Sequence, residues 1–303
     1  MSTPPVHLAL VGTTASGKSA LALALARRDP GLELVSVDSM QVYRGMDIGT
    51  AKPTPAEQAE VPHHLLDLAD PWESFTVARF QHAFRAALAD IEARGRRALL
   101  VGGTGLYLRA AVDDLVIPGE YPVVRASLED EPDTAALHDR LTGLDPLAAG
   151  RMEPTNRRRV VRALEVTLGS GQPFSSFGPG LEAYPATRFR LVGVALPPTT
   201  VADRIAARYR DQVEQGFVDE VRRLAAEPRG LSRTAAQALG YRELLDHVAG
   251  EVPLDRALDE AVNRTRRFAR RQRSWFRRDP RIEWFTADDP ADVLGPLTAA
   301  LSP

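Results

Sequence analysis

Val6-His-Leu-Ala-Leu-Val11, then Gly12-Thr-Thr-Ala-Ser-Gly17-Lys18-Ser19, then Ala20-Leu-Ala-Leu-Ala-Leu-Ala26 is the stretch that decides the fold. An apolar run leads into the pattern G-x-x-x-x-G-K-S, which opens into a helix-forming run. This is the strand–loop–helix setting in which the pattern binds phosphate. The glycines let successive backbone N–H groups turn inward on a phosphate chain. The helix start adds its positive dipole end, and Lys18 places a point charge on the outer phosphate. Composition points the same way. Of 38 basic residues only Lys18 and Lys52 are lysine. Arginine is used everywhere else, but its forked guanidinium is too large for a compact ammonium's place in a phosphate cradle. The phosphate chain held there need not be that of ATP.

Outward from this loop, β-branched and apolar runs recur at Glu33–Val37, Ala98–Val101, Leu191–Leu196 and Ile282–Phe285. Helical spacing separates most of them, at Lys18–Arg28, at Val77–Arg94 and several times between Val201 and Arg278, where Pro228-Arg229-Gly230 interrupts it. Such alternation predicts an α/β fold, a P-loop NTPase-like parallel sheet with helices on both faces. The rhythm breaks once. Between Val101 and Leu191 no strand is expected, but Thr134–Leu141 and Asn156–Leu168 read as helices. The punctuation at Ile117-Pro-Gly119 and Gly169–Gly180 then bounds a helical insertion at 118–188 within a core of 1–117 and 189–303. Gly169–Pro185 reads as a mobile return linker. There are no internal repeats.

The chain of 303 residues is 44% hydrophobic and 26% charged, an ordinary globular balance with room for a sizeable core. No apolar run approaches a membrane span, and the first five residues lack the pattern of a signal peptide. With no cysteine there is no thiolate metal site and no disulfide, so a cytoplasmic protein without membrane attachment is expected. The net charge of −2 hides an uneven distribution. Nine arginines and one acid, Asp279, fall between Arg264 and Arg281, and Arg157, Arg158, Arg159 and Arg162 cluster mid-chain. Two such clusters in a slightly acidic chain point to an anionic partner.

The second predicted strand ends in Asp38-Ser39. Strand carboxyl ends face the ligand crevice of an open α/β sheet, so Asp38 should face the bound phosphates. Two functional readings stand: Asp38 holds Mg²⁺, or it acts as general base on an acceptor. A carboxylate capping the next turn is the plain alternative. The third strand ends in Val101-Gly-Gly-Thr104-Gly-Leu-Tyr107, where glycines permit close backbone approach and Thr104 can donate to a phosphate. No aspartate ends that strand, which weakens a hydrolase reading. His63-His64 has no spaced metal-ligand partner and is expected in polar packing or a hydrogen bond. Trp72 and Phe75 are expected as core or turn anchors.

Further segments now matter together with the loop. Ser36–Pro53 (SVDSMQVYRGMDIGTAKP), Pro62–Asp67 (PHHLLD), Val101–Leu108 (VGGTGLYL), Arg162–Val166 (RALEV), Gln237–Glu243 (QALGYRE) and Thr265–Arg278 (TRRFARRQRSWFRR) resemble the tRNA dimethylallyltransferase family. The resemblance runs from residue 6 to about 286, departing at Thr13, where the family usually has proline. It implies transfer of a five-carbon prenyl group from dimethylallyl diphosphate to N6 of adenosine-37, beside the tRNA anticodon. In that reaction Gly12, Thr13, Thr14, Ala15, Ser16, Gly17, Lys18 and Ser19 hold the diphosphate, with Mg²⁺ reached through Ser19. Lys18 and Thr104 stabilise the leaving group and Asp38 takes the proton.

The same resemblance assigns tRNA contacts to Asp38, Ser39, Met40, Gln41 and Thr104 at the target base. It assigns others to Arg125, Arg158, Arg159, Val160, Val161 and Arg162 in the insertion. In the C-terminal helices they fall to Gln237, Gly240, Arg242, Arg270, Arg271, Gln272 and Arg277. A monomer binding the anticodon loop is expected. Three rivals differ in class: a P-loop kinase of a small metabolite, a prenyltransferase acting on free AMP, and a non-enzymatic RNA-binding protein. The kinase leaves the arginine clusters without a role, and the small-acceptor enzyme needs neither cluster. The RNA-binding protein leaves the loop and Asp38 without one.

Overall fold

The computed structural model describes residues 7–301; Val6 and the leading residues read as lacking a signal peptide lie outside them. The chain divides into two compact units, one built from both ends of the chain and one spanning Asp114–Pro185. In the first unit six strands form one sheet: β1 His7–Gly12, β2 Leu32–Val37, β3 His63–His64, β4 Arg97–Gly102, β5 Phe189–Ala195 and β6 Glu283–Thr286. Their order is β3-β2-β4-β1-β5-β6, and every pairing is parallel. β1 is central, with Leu10 opposite Val101 on one side and Val192 on the other. Alternate residues of β1 enter opposite cores: Ala9 and Val11 join Val35, Leu100 and Phe80, whereas Leu8 and Leu10 join Leu34, Leu99 and Leu21. A strand covered on both faces reads as a continuous apolar run, which is why β1 is legible.

The helices of this unit are α1 Lys18–Arg28, α2 Pro55–Glu60, α3 Val77–Ala93 and α4 Gly105–Val112. The second unit carries α5 Pro122–Glu129, α6 Thr134–Leu144, α7 Pro146–Ala149 and α8 Arg157–Ser170. Back in the first unit come α9 Pro198–Glu214, α10 Phe217–Ala225, α11 Tyr241–Val248, α12 Leu254–Phe276 and α13 Leu294–Leu301. Among the described residues no helix is long and apolar enough to cross a membrane. β3 is the strand that periodicity misses. Two residues carry no period, and they are extended because they pair with Leu34 and Val35 at the sheet edge. His63 and His64 make hydrogen bonds, to the Val61 carbonyl and to Glu33 respectively. Phe75 is buried, and Trp72 lies under the guanidinium of Arg229.

The second unit has its own core of Leu128, Leu137, Leu141, Met152 and Leu164. Val160 and Val161 belong to that core, at 0% and 2% exposure. Their side chains therefore pack α8 inward, which corrects their assignment as tRNA contacts. Part of the stretch read as a mobile linker is tied down as well: Phe174–Phe177 forms a 3-10 turn, with the Ser175 N–H and hydroxyl bonded to the buried Asp145.

Lys52, the second lysine, is a staple. Its buried ammonium donates to the Tyr43 carbonyl at 2.8 Å, to Asp47 at 2.5 Å and to Asp67 at 2.6 Å. It folds the segment after β2 onto the chain that follows β3. We expect Lys52→Met to lower stability by about 1–3 kcal/mol, the cost of leaving a buried carbonyl without its donor. Lys52→Arg should not restore it, because a guanidinium exceeds the space an ammonium fills. Urea unfolding of the three proteins checks this; wild-type stability in Lys52→Arg would contradict it.

Candidate active site

The loop after β1 ends with Gly17 as the N-cap of α1, in left-handed conformation at φ 84°. No side chain caps this helix and no acid lies in its first turn, so its first N–H groups remain for an anion. Lys18 Nζ donates to the Thr13 carbonyl at 3.2 Å. Burial pushes its ammonium down to about 8; the carboxylate of Asp38 opposes that shift, and the nearby Arg208 adds to it. The Ser19 hydroxyl, one residue on, is exposed, and no hydrogen bond among the described residues engages it.

Two side chains from the C-terminal half hold this loop. Gln272 of α12 accepts from the Thr14 N–H at 2.8 Å and donates to the Gly103 carbonyl at 2.9 Å. One amide thus joins the loop after β1 to the loop after β4. The approach requires glycine, since a Cβ on Gly103 would come within 2.2 Å of Gln272 Nε2. Arg208 of α9 donates to the Thr14 hydroxyl at 3.2 Å and to the Gly49 carbonyl at 3.3 Å. Burial lowers its pKa, with Asp38 among the groups that raise it.

Asp38 follows β2. Its Oδ1 accepts from the Met40 N–H at 2.8 Å and the Gln41 N–H at 3.4 Å. The turn cap is thus present, but it uses one oxygen, and Oδ2 has no hydrogen-bond partner among the described residues. Thr104 accepts from the Ser39 N–H at 3.2 Å and donates to the Ser39 hydroxyl at 3.4 Å, tying the β4 loop to the turn that carries Asp38. The Gln41 amide is fully engaged: Nε2 donates to the Thr50 and Ala51 carbonyls and Oε1 accepts from Ser36. Behind it the buried Glu220 accepts from the N–H groups of Asp47, Ile48 and Gly49 and from Tyr241 at 2.5 Å. Burial and that carboxylate keep the Tyr241 hydroxyl protonated.

Lys18, Asp38, Gln41, Thr104, Arg208, Tyr241 and Gln272 line one cavity of about 410 Å³, with Glu220 outside its lining. Thr14, Lys18, Ser19, Asp38, Ser39, Met40, Gln41, Thr104, Gln237, Arg271 and Gln272 were expected at the site and do line it. Gly240, Arg242, Arg270 and Arg277 do not line it. Gln272 is buried and holds two loops, a strut role beside its expected place at the site. Arg125, Arg158, Arg159 and Arg162 lie in the second unit. Arg125 and Arg162 pair there with the buried Glu165, whereas Arg158 and Arg159 are exposed and make no ion pair. Sequence reasoning missed Arg208, Arg264 and Phe268, which also line the cavity. A signal for Arg208 existed: it lies at helical spacing with the buried Ile205, Tyr209 and Gln212, a charge on an apolar stripe.

Comparison with known proteins bears on the same residues. The IPP transferase family matches residues 41–279, and the isopentenyl transferase family matches residues 5–71. A tRNA dimethylallyltransferase of a Nocardioides species is 50% identical over 289 residues, covering 94% of this chain and 93% of the relative. One from Streptomyces coelicolor is 50% identical over 290 residues, covering 94% and 92%. The chain belongs to the tRNA dimethylallyltransferase family. Among solved structures, a tRNA isopentenylpyrophosphate transferase of Staphylococcus epidermidis superposes with a TM-score of 0.71 at 30% identity, covering 98% of this chain and 99% of that one. A eukaryotic dimethylallyltransferase described as acting on tRNA gives 0.79 at 25% identity, covering 97% and 77%. Membership makes this chain a prenyl-transferring enzyme on a P-loop NTPase-like sheet, and the kinase reading falls.

The strut invites a direct check. Gln272→Ala leaves the Thr14 N–H and Gly103 carbonyl without their partner, and should cost about 1–3 kcal/mol. Gln272→Glu keeps the acceptor for Thr14 and loses the donor to Gly103, so it should fall between. Equal urea midpoints for all three proteins would show that the bridge carries no stability.

Proposed function

We propose that this enzyme transfers the dimethylallyl group from dimethylallyl diphosphate to N6 of adenosine-37 in tRNA, giving N6-dimethylallyladenosine and diphosphate. The observation that carries the reading is one cavity lined by both kinds of group the reaction needs. Lys18 and Arg208, with the uncapped start of α1, supply positive charge, and Asp38 supplies a carboxylate whose Oδ2 is not used by the turn cap. The allylic C–O bond breaks with both electrons leaving on the diphosphate. The developing cation is delocalised, so stabilising the leaving charge is the main demand. Lys18, Arg208 and the loop N–H groups meet it, with Thr104 beside them. The N6 lone pair forms the new C–N bond and the N6 proton passes to Asp38. The base must first leave its stack, at a cost of a few kcal/mol.

The residues present suit Mg²⁺ carried on the diphosphate. The free Ser19 hydroxyl would hold it together with phosphate oxygens, and the ion would add positive charge at the leaving group. The tRNA backbone meets the exposed arginines. Arg270, Arg271, Arg273, Arg277 and Arg278 make no ion pair among the described residues, whereas Arg264 pairs with Glu243 and Arg267 with Glu260. In the first unit the exposed arginines of α12 would meet tRNA phosphates, and in the second unit Arg158 and Arg159 of α8 are further exposed cations for them. The reaction as proposed draws on residues of one chain and asks for no second copy, so we propose a monomer. A tRNA substrate supports a cytoplasmic site of action.

Mass spectrometry of nucleosides from tRNA incubated with the protein, dimethylallyl diphosphate and Mg²⁺ tests the reading. N6-dimethylallyladenosine is expected; modification of AMP but not tRNA would overturn it. Asp38→Asn keeps the turn cap and loses the proton acceptor, so single-turnover rate should fall about 10²–10⁴-fold with both substrates still bound. Loss of diphosphate binding instead would make Asp38 a metal-site residue. Arg271→Ala and Arg158→Ala should each weaken tRNA binding and flatten its salt dependence by slightly less than one unit of slope. Unchanged affinity at every salt concentration in both would contradict the backbone grip.

A further inference from the structure

The IPP transferase match ends at residue 279, yet chain beyond that point packs on the phosphate-binding loop. After β6, Asp289 turns the chain into a short 3-10 turn, Pro290–Val293, and its Oδ1 accepts the Ala291 N–H at 2.8 Å. Val293 and Leu297 share a buried apolar cluster with Leu21 and Leu25 of α1. Pro290 is buried directly against Gly17: a Cβ on Gly17 would lie 2.5 Å from Pro290 Cβ and 2.7 Å from its Cγ. Arg204 of α9 holds the loop two residues earlier, donating to the Ala15 carbonyl at 2.9 Å. Gly17 sits at φ 84°, a conformation glycine enters and leaves freely because nothing on its own Cα restrains it.

We propose that Pro290 is a positioning residue for phosphate binding. Its ring blocks the space into which Gly17 would relax, and so keeps the first N–H groups of α1 in the cradle arrangement before any ligand arrives. A loop held competent binds at its intrinsic affinity, whereas a loop that is competent part of the time binds more weakly by that fraction. The ring therefore sets affinity for the diphosphate without touching the reacting atoms. The inference rests on the diphosphate reading above.

The test uses the full chain. In Pro290→Gly the dissociation constant for inorganic diphosphate, measured by calorimetry, should rise about 5–20-fold. KM for dimethylallyl diphosphate should rise in step, with kcat and tRNA affinity unchanged. Pro290→Ala keeps the nearest carbon and should fall between. Asp289→Ala, an exposed change that frees the turn while keeping the ring, should raise the constant less, and decides the matter if Pro290→Gly does not fold. A ring that merely packs would lower the unfolding midpoint and leave the affinity of the folded protein at the wild-type value; that result overturns the inference. Failure of the wild-type protein to bind inorganic diphosphate at all would instead overturn the diphosphate reading.

Discussion

One side-chain amide joins the parts of this active site. Gln272 accepts from the loop after β1 and donates to the loop after β4, and it stands on α12, the helix that carries the unpaired arginines. Without the bridge, the phosphate cradle, Thr104 and the basic face would hang on separate elements. With it, the arginine-rich α12 is pinned to the loop after β1. The same economy appears at Glu220, whose carboxylate fixes the N–H groups of residues 47–49 while Gly49 in turn accepts from Arg208.

The cavity is electrostatically unfinished. Lys18 and Arg208 face it from a buried setting, and Asp38 is the acid that acts on both. Burial disfavours their charged forms, which is why the Lys18 ammonium sits low. On the proposed reading, a multiply charged diphosphate would offset that cost on entry, so binding and charging of the site would be coupled. In the proposed reaction the leaving diphosphate would gain charge beside donors that are already in place, with little reorganisation. Asp38 keeps one oxygen in a turn cap, which fixes the carboxylate's orientation.

Much of this was legible in the sequence because it sits where strands end. Gly12–Ser19, Asp38 and Thr104 follow β1, β2 and β4, and fully buried parallel strands announce themselves as apolar runs. The parts that were not legible depend on long-range contact. β3 has two residues and exists through its pairing with β2. Arg208 and Gln272 are polar residues on buried helix stripes, a visible oddity whose partners lie 194 and 258 positions away in the chain. Pro290 reads as a turn residue and acquires meaning only against Gly17. Val160 and Val161 were drawn into the tRNA grip by a family resemblance, although their own apolar character assigned them to the core.

Lysine scarcity makes the central claim directly measurable. With ¹³Cε-labelled lysine the protein gives two side-chain signals, from Lys18 and Lys52, and the Lys18 signal is the one lost in Lys18→Met. Its titration by NMR reports the charge of the cradle itself. The account predicts a midpoint near 8 in the free protein, and a rise when dimethylallyl diphosphate is added. A Lys18 midpoint already at the ordinary value of 10.5, unmoved by the diphosphate, would contradict a buried cationic cradle awaiting its anion.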